Sequence, residues 1–204
     1  MTAEAERAAG RPTGPGRPPE PGHDEKIIQA TLRLIDQDKP VTVNAVVAGS
    51  GVSRAALYRR WNSLTDLMAD ALNHGRATPE VDITDDLKRT LLEMLFERLD
   101  EARGMGYPQR RFRKRLELVM ADRDLQWAYW NSHVTRRRHG MIEALRAGVD
   151  RGEFRADLDV ESALDAMLGV IYYQLVVRGA DLADPETEQR CRQAFDVIWR
   201  GMGV

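Results

Sequence analysis

At 204 residues, with 43% apolar and 30% charged side chains, the chain is long enough for two modules sharing a continuous core, and its ordinary apolar content excludes disorder throughout. A net charge of −2 and a pI near 6.1 exclude a protein coated in positive charge, so any nucleic-acid surface is a local patch. The single cysteine, Cys191, excludes an internal disulfide, and without Cys/His clusters a structural zinc site has no ligands, which fits a reducing cytoplasm.

Residues 1–23 are rich in Pro, Gly and Arg, lack the apolar core of a secretion signal, and cannot bury enough surface to offset the entropy of ordering. They read as a disordered arm. Asp24 is the expected N-cap of a first helix whose stripe carries Ile27, Thr31, Leu34 and Ile35, widened by Ile28 and Leu32, and which stops before Pro40. From Thr42 a short helix turns Val43, Val46 and Val47 inward, Gly51 breaks it, and a second short helix runs from Ser53 to about Trp61. Ser63 and Asp66 make a capping-box-like start to a fourth helix bearing Leu64, Leu67, Met68, Ala71 and Leu72, which ends near His74 and Gly75. Beyond a linker at 76–83, helical periodicity recurs over 84–103, 109–121, 124–151, 160–178 and 186–201. Gly104, Gly106, Pro108, Arg151-Gly152, Gly179 and Pro185 mark the breaks. β-branched alternation is nearly absent and no run of about 18 apolar residues offers a membrane span, so the expected fold is all-α with about nine helices. The expected division is an arm at 1–23, a helix-turn-helix domain at 24–75 and a helical ligand-binding and dimerisation domain at 76–204.

The segment from Thr42 to Leu67 has the order of a DNA-reading pair: supporting helix, tight Gly turn, then a helix with one apolar and one cationic face. Val46, Val47, Val52, Leu57 and Trp61 can close a small core, leaving Arg54, Ala55, Tyr58, Arg59 and Arg60 on the outside. The small Ala55 and Ala56 let the backbone approach base edges, Arg54 suits a guanine, and Tyr58 suits a phosphate. Ser53 caps this helix, whose positive end favours an anion. With Thr42, Val43 and Asn44 at the head of the supporting helix, these residues form the expected DNA surface.

These residues resemble the DNA-binding domain of the TetR family of bacterial repressors, whose pattern here is Thr42, Gly51-Val52-Ser53, Leu57-Tyr58, and Arg60 before Trp61. The resemblance implies that Thr42 and Tyr58 contact phosphates, that Arg54, Ala55 and Ala56 lie over bases, and that Arg60 sits near the groove edge. Val47 and Ser50 stand where members usually carry alanines. Leu64 replaces a common phosphate-clamping lysine, so that clamp is missing or supplied elsewhere. In the arm, Gly10-Arg11-Pro12 and Gly16-Arg17-Pro18 resemble the core of an AT-hook; Arg11 and Arg17 would then follow a narrow minor groove, the other reading being solvated coil.

Residues 151–177 are similar to the turn and eighth helix of a common subgroup of these regulators. The likeness implies a homodimer built on an intersubunit four-helix bundle of 160–178 and 186–201. Its expected interface is Ala166, Gly169, Val170, Tyr173, Phe195, Ile198 and Trp199, with Ala163 completing a small-residue strip. Met94, Phe112, Leu116, Met120, Trp127, Trp130, Met141 and Tyr172 are candidate walls of an apolar ligand pocket, though Met and aromatic residues at helical spacing also suit plain core. His133, with no second histidine three or four residues away, reads as a surface or core residue sooner than as a group orienting a polar ligand, and Arg136, Arg137 and Arg138 read as a solvated basic face paired with nearby acids.

The histidines make no HExxH, no Gly loop cradles a phosphate, and no serine sits in a GxSxG turn, so an enzyme has no chemistry to use and no cofactor is implied. The expectation is a cytoplasmic homodimeric repressor on palindromic double-stranded operator DNA, released by a small apolar effector, without membrane contact. Its rivals are a ligand-insensitive regulator or activator and a helical enzyme or scaffold that merely kept the helix pair.

Overall fold

The computed structural model describes residues 22–76, 82–97, 109–181 and 183–204, and nine helices run through them with no strand among the described residues. Helices α1 (His23–Asp36), α2 (Val43–Ser50), α3 (Arg54–Tyr58) and α4 (Leu64–Asn73) come first. Helix α5 (Leu87–Leu92) runs into a π-helical turn at Glu93–Glu97, and α6 spans Gln109–Ala121. Helix α7 is a long rod of Arg123–Tyr129, a π-helical turn at Trp130–Val134, and Thr135–Asp150. Helix α8 (Val160–Tyr172) ends in a third π turn, Tyr173–Val177, and α9 is Pro185–Met202. Arg11 and Arg17 of the expected arm lie outside the described residues.

Local chemistry explains most boundaries. Asp86, Asp122, Asp159 and Asp184 cap α5, α7, α8 and α9 by accepting from backbone N–H groups of the first turn. Gly152 and Gly179 adopt φ of 72° and 65°, the left-handed region where glycine ends a helix at least cost. Two expectations change. The N-cap of α1 is Gly22, φ 90°, so His23 belongs to the helix and Asp24 sits in its first turn, where its carboxylate faces Arg60. Pro185 does not break α9 but begins it, since the first turn has no use for the missing N–H.

Three apolar clusters hold the helices. The first joins α1 to α4 through Ile27, Leu32, Val46, Val52, Leu57, Trp61 and Leu67. A larger one packs α5, α7, α8 and α9 around Leu91, Leu145, Leu164, Met167 and Phe195. Between them, Ile35, Ala69 and Leu72 of α1 and α4 meet Leu125 and Tyr129 of α7. This middle cluster places α4 directly against the C-terminal helices. The end of α9 closes onto the turn after α7 through a Phe154–Gly203 backbone bridge, with the Arg155 N–H donating to the Met202 carbonyl at 3.0 Å.

Candidate nucleic-acid interface

Two helices of eight and five residues cannot persist alone, so their orientation is imposed by capping and by a shared core. Thr42 Oγ1 accepts the Ala45 N–H at 3.2 Å, and the residue itself is exposed. Gly51 takes φ 69°, the turn the sequence requires of it. Ser50 Oγ accepts the Val52 N–H, and Ser53 Oγ accepts the Ala56 N–H, both at 3.2 Å, fixing the entry to α3. Val46, Val52, Leu57 and Trp61 are buried, while Val47 packs partly buried beside them. The Arg33 guanidinium donates to the Gly49 carbonyl at 2.9 Å and ties α1 to the end of α2.

The outer face carries Arg54, Ala55, Tyr58, Arg59 and Arg60, all exposed, with Thr42 and Asn44 beside them on α2. Arg54 Nη2 donates to Asn44 Oδ1 at 2.5 Å, a contact that presents both groups together. Helix α3 is shorter than expected. It ends at Tyr58, so Arg59 and Arg60 lie in the turn after it, and Arg60 Nε meets Asp24 Oδ1 of α1 at 3.0 Å. Ala56 is buried and therefore supports the helix from beneath, its methyl turned away from the outer face; Val43 is half-buried and packs on the same core. Leu64, at the clamp position, packs partly buried against the core too, so it adds no cation to the surface.

Behind α3, Trp61 donates its indole N–H to Asp70 Oδ2 of α4 at 2.7 Å, and Asp70 Oδ1 lies 2.9 Å from His133 Nε2 in the π turn of α7. The His133 contact, opposed by burial and helped by the Trp61 bond, holds the Asp70 carboxyl below the usual carboxylate range. His133 is thus a strut between α4 and α7. The three successive arginines also diverge. Arg138 is buried and bridges Glu161 and Asp165 of α8 at 2.7 and 2.6 Å, Arg137 turns to Asn73 and Tyr129, and Arg136 is exposed.

A cavity of about 530 Å³ opens between α6, α7 and α8. Of the expected pocket walls, Leu116, Met120, Trp130 and Tyr172 line it. Phe112 flanks it, its ring 6.1 Å from that of Tyr172. Met94 lies in the main core and Met141 packs against that core, while Trp127 is exposed beneath the Arg123 guanidinium. Trp127 precedes the π turn and Trp130 begins it, so over three residues of the same rod one ring lies beneath Arg123 and the other faces the cavity. Sequence reasoning missed Arg115 and Tyr129, which also line the cavity; the available signal was the position of Arg115 on the helical stripe of Phe112, Leu116 and Val119, at spacings of three and four residues.

On α8, Ala166, Gly169 and Tyr173 are exposed, with Tyr172, Val176 and Val177 extending an apolar face. By length and composition Val160–Val177 could also cross a membrane, but it starts with Glu161 and Asp165 paired to Arg138 and turns Leu164 and Met167 into the core. Val170, Ile198 and Trp199 are half-buried against the same core. Phe195 is wholly internal, stacked on Trp199 with ring centroids 5.9 Å apart, and so is removed from the expected interface.

The C-terminal part, residues 81–194, matches the family model described as the tetracyclin repressor-like C-terminal domain. The chain is 25% identical over 185 residues to YdeS, an HTH-type transcriptional regulator of Bacillus subtilis strain 168, covering 88% of this chain and 91% of that protein. It is 28% identical over 182 residues to an HTH-type transcriptional regulator of Mycobacterium bovis, covering 87% of each. Among solved structures, the fold matches the TetR family transcription regulator SCO0332, with a TM-score of 0.58 at 24% identity over 86% of this chain and 97% of that one. It also matches a TetR transcriptional regulator from Agrobacterium tumefaciens, with a TM-score of 0.59 at 18% identity, over 89% and 94% of the two chains.

Proposed function

Since this chain belongs to the TetR family of helix-turn-helix transcriptional regulators, we propose that it is a cytoplasmic homodimeric repressor that grips a palindromic operator and is released by a small molecule entering the C-terminal helices. The observation that carries the reading is the outer face of the helix pair, where Arg54, Ala55, Tyr58 and Arg59 stand exposed beside Thr42 and Asn44 on a capped, fully packed support. Phosphate contacts fall to Thr42 and Tyr58, and base edges to Arg54 and Ala55. The work divides between residues 24–75, which read DNA, and 76–204, which pair the copies and hold the effector.

Dimerisation is supported by the apolar face of α8, where Ala166 and Gly169 allow close helix approach and Tyr173 supplies area. Two such heads would meet half-sites roughly 34 Å apart or somewhat farther. The effector is supported by the cavity between α6, α7 and α8, and by the contact of α7 with α4. A ligand weakens DNA binding only through preferring the non-binding state, typically with about 1–3 kcal/mol of coupling.

The test is Arg54→Ala with Tyr58→Phe against a duplex selected by the unaltered protein from a random pool. The selected sequence should be a palindrome. The double variant should bind it at least about tenfold more weakly, with dimerisation by sedimentation intact. Unchanged mobility-shift affinity refutes the assigned surface.

A further inference from the structure

We propose that the cavity between α6, α7 and α8 takes a small apolar carboxylate, with its acid group on the Arg115 guanidinium and its tail along Val119, Trp130, Val134 and Val176. The inference rests on the effector reading above and names the chemical class of that effector. Arg115, Gln126 and Tyr129 supply a polar end to walls that are otherwise mostly apolar, and among the described residues no Asp or Glu lines the cavity. Arg115 is itself 2% exposed. Its guanidinium lies 4.8 Å from the Phe112 ring centroid and 5.3 Å from that of Tyr129, so its plane is fixed before any ligand arrives.

The field at that end is strongly positive. Tyr129 Oη accepts from Arg76 at 2.9 Å and from Arg115 and Arg137 at 3.0 Å each. Burial pushes the phenol up, yet the charge of these three guanidinium groups outweighs it and brings it down to about 8. A carboxylate entering the cavity meets the same field, while an ammonium is repelled by it. The planar fork of an arginine also matches two carboxylate oxygens, which a neutral alcohol cannot supply.

The same hydroxyl connects the cavity to the reading head. Arg76 follows α4, and Arg137 donates both to Tyr129 and to Asn73, the last residue of α4. A carboxylate that draws Arg115 toward itself therefore loosens a junction at the C-terminal end of α4, whose Asp70 holds Trp61 behind the reading helix.

Calorimetric titration of the full chain at neutral pH with decanoate, decanol and decylammonium tests the proposal. Decanoate should bind at least about tenfold more tightly than decanol, and decylammonium most weakly. Arg115→Met should bring decanoate and decanol to equal affinity. The comparison on the unaltered protein stands even where that buried substitution prevents folding. Equal affinity of the unaltered protein for acid and alcohol overturns the proposal and leaves the effector reading intact. A preference for decanoate with no change in affinity for the selected duplex supports the carboxylate site and overturns the effector reading. Binding of none of the three overturns the site.

Discussion

Gly148 lies inside α7 with the Phe154 ring pressed on its backbone, and Gly148→Ala is expected to destabilise the protein although alanine is the better helix former. A Cβ at this position would stand 2.2 Å from Phe154 Cε2 and 2.3 Å from Cδ2. Comfortable carbon contacts begin near ~3.5 Å, so the ring must retreat by about 1 Å or more. It has little freedom to do so. Phe154 is 2% exposed and packs edge-on against Trp199 with centroids 5.0 Å apart. Its backbone is fixed as well, because the N–H groups of Glu153 and Phe154 both donate to the Gly148 carbonyl, at 2.9 and 3.1 Å. Overpacking of such a site costs about 1–3 kcal/mol. The upper end applies here because ring and backbone are both held. The helix gains back about 1 kcal/mol on losing a glycine. The net loss is about 2 kcal/mol, or roughly 4–8 °C in melting temperature for a chain of this size. Thermal unfolding followed by circular dichroism at fixed protomer concentration measures it, since the proposed dimerisation would make the midpoint depend on concentration. In a Phe154→Ala background the clash is gone, and the same Gly148→Ala change should stabilise by about 1 kcal/mol. A Gly148→Ala protein that melts at or above the parent, or a matching sign in both backgrounds, refutes the reasoning.

Asp70→Asn should cost about 1 kcal/mol at neutral pH, a modest figure because the carboxylate is partly exposed, and should weaken operator binding through Trp61. Because the folded carboxyl is held low, its contribution is complete above the unfolded pKa of about 4 and fades as pH falls, so denaturant midpoints of parent and variant should converge in acid. The phenol of Tyr129, lowered to about 8, has the analogous sign. Between about pH 8 and the unfolded value near 10 the unfolded chain holds a proton the native one has released, so stability rises with pH across this window. Tyr129→Phe should abolish that rise. It should also remove a single-tyrosine step of phenolate absorbance that precedes the other four of the chain's five tyrosines; a parent titration without an early step contradicts the convergence of the three arginines.

The helix-turn-helix was legible because its signals are local. Thr42, Ser53 and Ser63 cap α2, α3 and α4, each with a side-chain oxygen accepting a backbone N–H three residues on, and Gly51 turns where only a glycine turns cheaply. The phase of short helices was less legible. Ala55 and Ala56 are equivalent by composition, yet one faces out and the other is buried, because α3 is set by Val46 and Leu57 beneath it. Phe195 fitted an outward stripe as well as an inward one until its ring met Trp199. The pocket walls suffered most, since a π turn at Trp130–Val134 shifts the helical face that a regular period would project.

By itself the sequence determined the all-helical class, the capped turn and the cationic helix, because backbone hydrogen bonding and capping act over three or four residues. The meeting of Arg76, Arg115 and Arg137 on Tyr129, and of Asp70 with both Trp61 and His133, was decided only by tertiary structure. Arg76 and Tyr129 are 53 residues apart in the chain, and only the packing of α4 against α7 brings them within a hydrogen bond.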